Sequence, residues 1–200
     1  MGRRILKDTR REEIAQALYR CLLKKPFART TIKDIAHEAK LNHGMLHYYF
    51  KNKEEILLYF LDWIVALHLD DFKKWAQKQK LGARNFNEAL SLALDYAKNK
   101  ITLNEELAKI FIEVWEIALY HKKVRIKLQY VYKEWIEQLV AIIGKETTKK
   151  NATTLSVATI AFLEGISLFH IMLSDIYPVK DILNSFEKKI EGVINNRNIQ

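Results

Sequence analysis

Apolar residues recur every three to four positions along most of the chain, the spacing of one face of an α-helix. The segment 122–144 shows the pattern plainly, with one stripe made of Val124, Leu128, Val131, Trp135, Leu139 and Ile142. Only six glycines and two prolines interrupt 200 residues. The sequence therefore predicts an all-α protein of about nine helices.

Capping residues predict where the helices begin. Thr9 with Glu12 is expected to open the first helix, an amphipathic one over 11–23, and Asn52 with Glu55 the fourth, which continues past Trp63 towards Asp70. Further helices are predicted over 86–98, from Thr102 with Glu105 to about 120, over 122–144, over 153–174, and after Pro178, which takes the first helical position. A loop is expected at 81–85 and a polar one at 145–151.

Residues 30–50 read as a helix, a short turn and a second short helix. Thr31 and Asp34 form a variant of the capping box, and Asn42 is a cap for the second helix. Small and apolar residues give the first helix one buried stripe, while Leu46, Tyr49 and Phe50 pack the second helix down. This is a helix-turn-helix, which places its second helix in the major groove of duplex DNA. An ordinary helical hairpin in an all-α core is the alternative.

Residues 10–57 resemble the DNA-binding domain of the TetR family of transcriptional regulators. The resemblance rests on the helix 11–23, on Thr30-Thr31-Ile32-x-Asp34-Ile35-Ala36, on Leu41-Asn42-x-Gly44-x-Leu46-x-x-Tyr49-Phe50, and on Lys51-Asn52-Lys53-Glu54-x-x-Leu57. Two positions depart from the family's pattern. Lys40 stands at the usual turn glycine, which predicts a strained or altered turn costing roughly 1 kcal/mol. His47 replaces a tyrosine that contacts the DNA backbone in the family.

The resemblance implies a DNA-binding domain at 1–52 and an effector-binding and dimerisation domain at 53–200. It also implies a homodimer formed through 153–195, a palindromic operator as the DNA partner, and release by a small, largely apolar effector. The expected DNA contacts are Thr31, Lys33, Asn42, His43, Gly44, Met45, His47, Tyr48 and Lys53. The fourth and sixth helices are expected to face the effector, which makes Trp63, Phe111 and Trp115 the predicted ligand contacts. A DNA-binding repressor or activator without small-molecule control is the alternative.

The net charge of +9 is concentrated near the amino terminus. Residues 1–55 hold 13 Lys and Arg against 7 Asp and Glu, a balance of +6, which leaves +3 for the other 145 residues. That bias suits a surface that neutralises phosphates. A basic arm (Arg3, Arg4, Lys7, Arg10, Arg11) either adds contacts in a neighbouring groove or is a solubilising tail.

The apolar run 155–173 is long enough to span a bilayer, but Glu164 lies near its middle. Burial in a bundle or at a subunit interface explains it equally, and a C2 dimer is the simplest source of cover. Glu164 and His170 either orient a polar ligand group or form hydrogen bonds across the dimer. We therefore expect a soluble cytoplasmic protein, and the charged start Met1-Gly2-Arg3-Arg4 is not that of a signal peptide.

Other chemistries find little support in the sequence. His43 and His47 are four residues apart and fit half a metal site, but no third ligand lies nearby, so no metal or other cofactor is expected. The single cysteine, Cys21, lies on an apolar helix face and reads as a packed thiol. No phosphate-binding glycine loop or nucleophile elbow is present, so an enzyme is not predicted.

Overall fold

The computed structural model describes residues 2–145 and 147–196, leaving aside the side chains of residues 2–5, 83, 86, 87, 187 and 190–196. The all-α prediction is confirmed: the chain is 85% helical, and its described residues contain nine α-helices and no strand. The helices are α1 (Gly2–Lys24), α2 (Ile32–Glu38), α3 (His43–Tyr49), α4 (Lys53–Lys78), α5 (Phe86–Ala97), α6 (Glu105–Tyr120), α7 (Lys122–Ile143), α8 (Lys149–Leu173) and α9 (Val179–Asn196).

Several helix boundaries differ from the sequence prediction for local reasons. Helix α1 begins at Gly2, so Thr9 lies inside it and is not its cap. Helix α6 is capped by Asn104, whose Oδ1 accepts the Leu107 amide at 3.1 Å, while Thr102 is buried in the π-helical turn Lys98–Thr102 that follows α5. Pro178 directly precedes α9, which begins at Val179. The predicted cap of α4 is confirmed, since Asn52 Oδ1 accepts the Glu55 amide at 2.8 Å.

The helices group into two compact units, neither of which is a continuous stretch of sequence. The first unit comprises residues 1–73 and 109–131, and the second comprises 74–108 and 132–200. In the first unit the largest fully buried side chains come from six helices and from Phe50, which directly follows α3; they are Ile14, Leu18, Ile35, Leu46, Phe50, Ile56, Leu57, Phe60, Val114 and Val124. Helices α1, α2 and α3 thus share their core with the start of α4 and parts of α6 and α7.

The second unit has two apolar clusters. Leu90 and Leu94 of α5 pack with Ile143 and Ala152, and Leu163 and Ile166 of α8 pack with Val179 and Leu183 of α9. Helix α8 is long and apolar enough to cross a membrane, with a mean hydropathy of 1.7, yet only 22% of its most apolar window is buried within the chain. The intrachain clusters therefore cover only a small part of α8.

Candidate nucleic-acid interface and apolar cavity

Ion pairs fix α2 against α1. Glu38 accepts hydrogen bonds from Arg20 Nε at 2.8 Å and from Lys24 Nζ at 2.7 Å, and Lys25 Nζ lies 2.7 Å from Asp34 Oδ2. The hydrogen bond from Lys24 lowers the pKa of Glu38, and that from Lys25 lowers the pKa of Asp34. Both carboxylates therefore stay ionised at neutral pH and hold α2 in one orientation.

The capping box at the start of α2 is confirmed. Thr31 Oγ1 accepts the Asp34 amide at 3.1 Å, and Asp34 Oδ2 accepts the Thr31 amide at 2.7 Å. The backbone amide and the hydroxyl of Thr31 thus both form hydrogen bonds within the chain, whereas the side chain of Lys33, two residues later, is exposed. The contacts of Thr31 and Lys33 with DNA remain predictions.

The turn between α2 and α3 takes the left-handed conformation that the sequence predicted would be strained. Lys40 has φ 55°, a value that costs a residue with a side chain more than it costs glycine. The Leu41 amide donates to Ala36 O at 2.9 Å and the Lys40 amide to His37 O at 3.0 Å, which is the Schellman pattern of helix ends. Lys40 therefore adopts the geometry of the glycine that it replaces.

Helix α3 turns its polar and aromatic side chains outward. Its cap is Asn42, whose Oδ1 accepts the Met45 amide at 2.7 Å, and Leu46 is its fully buried anchor. The six predicted DNA contacts in this helix and at its cap are all exposed; they are Asn42, His43, Gly44, Met45, His47 and Tyr48. The rings of His43 and His47 meet edge to face at 4.8 Å between centroids. Among the described residues, no group of three or more His, Cys, Asp or Glu could hold a metal ion.

The basic amino-terminal segment is neither a free tail nor an arm, because it is part of α1. Lys7 lies with its ammonium 5.8 Å from the centre of the Tyr48 ring, beside the exposed face of α3. Arg11 instead packs between the rings of Phe50 and Tyr59, at 4.5 and 4.4 Å. The side chains of Arg3 and Arg4 lie outside the described residues. Among the described side chains of this segment, Lys7 therefore has a contact with a predicted DNA-contacting residue.

Lys53 has a role that the sequence did not suggest. Its ammonium donates to the backbone oxygens of Phe27 at 2.8 Å and Thr30 at 2.9 Å, and it lies 4.2 Å from the Phe27 ring. Partial burial lowers the pKa of Lys53. An ammonium has three donors, so one remains for a phosphate. Its DNA contact remains a prediction.

Glu113 of α6 also holds the turn before α2, through the backbone amide of the first residue of that turn. Glu113 Oε1 accepts the Phe27 amide at 2.5 Å, so α4 holds the carbonyls of this turn and α6 holds its first amide. The turn ends at Thr30, next to the cap of α2. Glu113 is 86 residues from Phe27 in sequence, and no local pattern could have predicted the contact. We call these three residues, Phe27, Lys53 and Glu113, the α4–α6 joint.

An apolar cavity of about 570 Å³ lies in the first unit among α4, α6 and α7. The cavity-lining residues of α4 fall on one helical face and include Leu58, Leu61, Val65 and Leu69. Those of α6 are Ile110, Phe111 and Val114, and α7 adds Lys123, Ile126, Lys127, Leu128, Tyr130 and Val131. The size and lining are typical of a small-molecule site.

Of the three predicted ligand contacts, the structure brings Phe111 to this cavity. Trp63 and Trp115 are absent from its lining. Trp63 lies off the cavity-facing stripe of α4, with its ring 6.1 Å from that of Phe60. Effector contacts at these residues remain predictions.

The second unit buries polar side chains along α8. Ser156, Thr159 and Ser167 are all less than a tenth exposed. Tyr132 donates to Glu164 Oε1 at 3.1 Å, and burial raises the pKa of Glu164 to about 7 despite that hydrogen bond. His170 Nδ1 is buried and makes no hydrogen bond within the described part of the chain. Neither predicted role of Glu164 and His170 is tested by these contacts.

The residues that build the helix-turn-helix match a known family. Residues 14–60 match the description "Bacterial regulatory proteins, tetR family". Over these residues the chain is similar to the TetR family. It is 29% identical over 150 residues to YerO of Bacillus subtilis, an uncharacterized HTH-type transcriptional regulator, an alignment that covers 67% of this chain and 50% of YerO. The chain thus spans about half the length of that curated relative.

Solved structures share the fold at low sequence identity. A TetR transcription regulator from Haloarcula marismortui superposes with a TM-score of 0.76 at 22% identity, covering 89% of this chain and 94% of that one. The regulator FadR of Bacillus subtilis, solved in complex with stearoyl-CoA, has a TM-score of 0.68 at 16% identity over 88% of this chain and 95% of FadR. The family and the fold are those of transcription regulators.

Proposed function

We propose that the protein is a cytoplasmic transcriptional repressor that binds a palindromic operator as a homodimer and is released by a small effector. The exposed face of α3 carries this proposal, because His43, Met45, His47 and Tyr48 project from a helix that is capped and anchored by other residues. Histidines pair with base edges, and Met45 suits a thymine methyl. In a dimer, two such helices separated by one turn of DNA read two half-sites.

The proposed dimer uses α8 and α9. Exposed apolar side chains on these helices and on the turn between them include Val157, Phe169, Met172, Ile176, Tyr177 and Ile182, each at least 45% exposed. An apolar surface of this extent on a soluble protein marks an interaction site. The low burial of α8 within the chain supports the same conclusion. Glu164, near the middle of this helix, argues for a subunit interface over a membrane, because a carboxylate is costly in the bilayer core.

The proposed effector site is the cavity among α4, α6 and α7, and the α4–α6 joint transmits its occupancy. Ile110 and Val114 face the cavity, while Glu113 of the same helix holds the turn that leads into α2. A shift of α6 when the cavity fills changes the Phe27–Glu113 hydrogen bond and so the setting of the helix-turn-helix. Coupling of this kind is typically about 1–3 kcal/mol, or 5- to 150-fold in DNA affinity.

Fluorescence anisotropy tests the DNA-binding part of the proposal. The probe is duplex DNA from immediately upstream of the protein's own gene, titrated across a salt series. Sequence-selective binding that weakens steeply with salt is expected. Tyr48→Phe, which removes a hydroxyl aimed at a phosphate, is expected to weaken binding roughly fivefold, and Tyr49→Phe on the packed side of α3 is the matched control. Binding that treats all duplexes alike, or equal effects of the two variants, contradicts the proposed contact face.

Hydrogen exchange tests the joint without DNA. Saturation of the cavity with the neutral probe N-phenyl-1-naphthylamine is expected to change the amide protection of residues 27–38 in the wild type. Glu113→Ala should abolish that change, whereas Glu116→Ala, an exposed position on the same helix, should retain it. Unchanged protection in the wild type would contradict the coupling and favour a regulator without small-molecule control.

A further inference from the structure

The mouth of the apolar cavity is unusually basic on one side. The first half of α7, residues 122–132, contains Lys122, Lys123, Arg125 and Lys127 and no carboxylate. Two of these lysines, Lys123 and Lys127, are part of the cavity lining. Because Lys122 opens α7, the partial positive charge of a helix amino terminus adds to theirs.

The carboxylates at the mouth do not cancel this charge. Asp62 is the acidic member of the lining, and it pairs with Lys127. Glu54, which lies outside the lining, pairs with Lys123 at 3.1 Å. The two partners in the Asp62 pair differ in placement: the Lys127 side chain is 29% exposed and that of Asp62 is 65% exposed. The cation is therefore held against the cavity wall, while its partner lies mainly in solvent and is the easier of the two to displace.

Apolar side chains continue from the cavity to the surface beside these lysines. Ile126 and Tyr130 belong to the lining and are 42% and 66% exposed. A ligand that covers them buries apolar area worth about 25 cal/mol per Å². The site thus offers apolar walls, an apolar approach and a half-buried cation at its mouth.

From this arrangement we infer that the cavity binds an amphipathic anion, with its chain among Leu61, Val65 and Phe111 and its anionic head on Lys127 in place of Asp62. The inference rests on the proposed function only in taking this cavity as the effector site. It differs from a purely apolar effector because the head group contributes a charge-assisted hydrogen bond. Lys123 adds to the positive field without needing to lose Glu54.

Displacement of N-phenyl-1-naphthylamine tests the inference. Decanoate, decanol and decyltrimethylammonium share one chain and carry an anionic, a neutral and a cationic head. Decanoate is expected to displace the probe at a concentration about tenfold lower than decanol does, with the cation weakest. Lys127→Met should bring decanoate to within about threefold of decanol while decanol itself is unaffected. Lys133→Met is the control, because Lys133 lies outside the lining and pairs with Glu137 at 3.7 Å.

Every other outcome overturns the inference. If the cation displaces the probe at a lower concentration than decanoate does, Asp62 is the group that recognises the head. If decanol does so, the apolar walls alone account for binding. In Val65→Trp the new side chain fills the cavity, so if decanoate displaces the probe from this variant as well as from the wild type, the anion binds elsewhere. If none of the three compounds displaces the probe from the wild type, the cavity is not a site for them. The anisotropy titration separates this result from the proposed function, because selective DNA binding does not depend on the head group of the ligand.

Discussion

Helices α3 and α8 distribute their side chains in opposite ways. Helix α3 buries Leu46 and turns histidines and Tyr48 outward, as expected of a helix whose outer face meets water and DNA. Helix α8 buries Ser156, Thr159 and Ser167 and exposes Val157, Phe169 and Met172. The first arrangement is complete within one chain, since its outer face is polar. The second is complete only when another apolar surface covers it.

The polar groups inside α8 are also less well satisfied than those around α3. Around α2 and α3, caps and ion pairs engage Thr31, Asp34 and Glu38. Along α8, Ser156 Oγ is buried without a hydrogen-bond partner in the described part of the chain, and Glu164 has one neutral donor. A buried polar group without a partner costs free energy. The comparison therefore supports the proposed difference between the two regions, a solvated ligand at α3 and a protein partner at α8.

The largest predicted effect is the loss of dimerisation when a charge is introduced on the outer face of α8. Met172, 68% exposed, is expected at the centre of the apolar surface, so Met172→Glu would bury an unpaired charge in the dimer. Dimerisation should weaken by about 3–5 kcal/mol, which is at least a hundredfold. Sedimentation equilibrium across a concentration series measures the change.

Leu119→Glu is the matched control for that prediction. Leu119 is 69% exposed, but it ends α6 in the first unit. It should leave the dimer intact. A wild type that sediments as a monomer, or equal weakening by both variants, would show that the apolar face of α8 is not the interface.

Glu164 sharpens the comparison through its pH dependence. Its pKa is raised by burial to about 7 from an ordinary 4.5, so the folded protein holds a proton that the unfolded chain has released between these values. The stabilising protonated state is fully present below about pH 4.5 and is lost as the pH rises to about 7, which lowers the free energy of unfolding by about 3 kcal/mol.

Glu164→Gln isolates that contribution, because glutamine is neutral at every pH and accepts the same hydrogen bond from Tyr132. Urea unfolding of both proteins from pH 5 to 8 should give a difference that favours the variant increasingly as the pH rises. A difference that is constant with pH would mean that Glu164 titrates normally in the folded state.

The sequence predicted the local features well and the long-range ones poorly. The caps at Thr31, Asn42 and Asn52 depend on residues three apart, and all three are confirmed. The α4–α6 joint and the Lys127–Asp62 pair join residues far apart in sequence, so no spacing rule reveals them. The start of α1 was placed too late because a plausible cap at Thr9 lies within a longer helix. The hydrogen bonds of Lys53 to the turn before α2 were likewise not predicted, because its position in the motif suggested only a DNA contact.

The smallest predicted effect concerns the left-handed turn that precedes α3. Lys40 has φ 55°, and Lys80, before the short turn 81–83, has φ 52°, so the two lysines have nearly equal backbone strain in different units. Lys40→Gly should raise the free energy of unfolding by about 1 kcal/mol, because glycine adopts this conformation without a Cβ clash. Lys80→Gly should act similarly on stability, but only Lys40 joins the two helices that meet DNA. The thermal unfolding midpoint measures the stability of both variants, and an operator titration measures their DNA affinity. Unchanged stability in Lys40→Gly would mean that the surroundings of this residue already compensate the strain. A change of DNA affinity in Lys40→Gly alone would show that the turn determines the placement of α3.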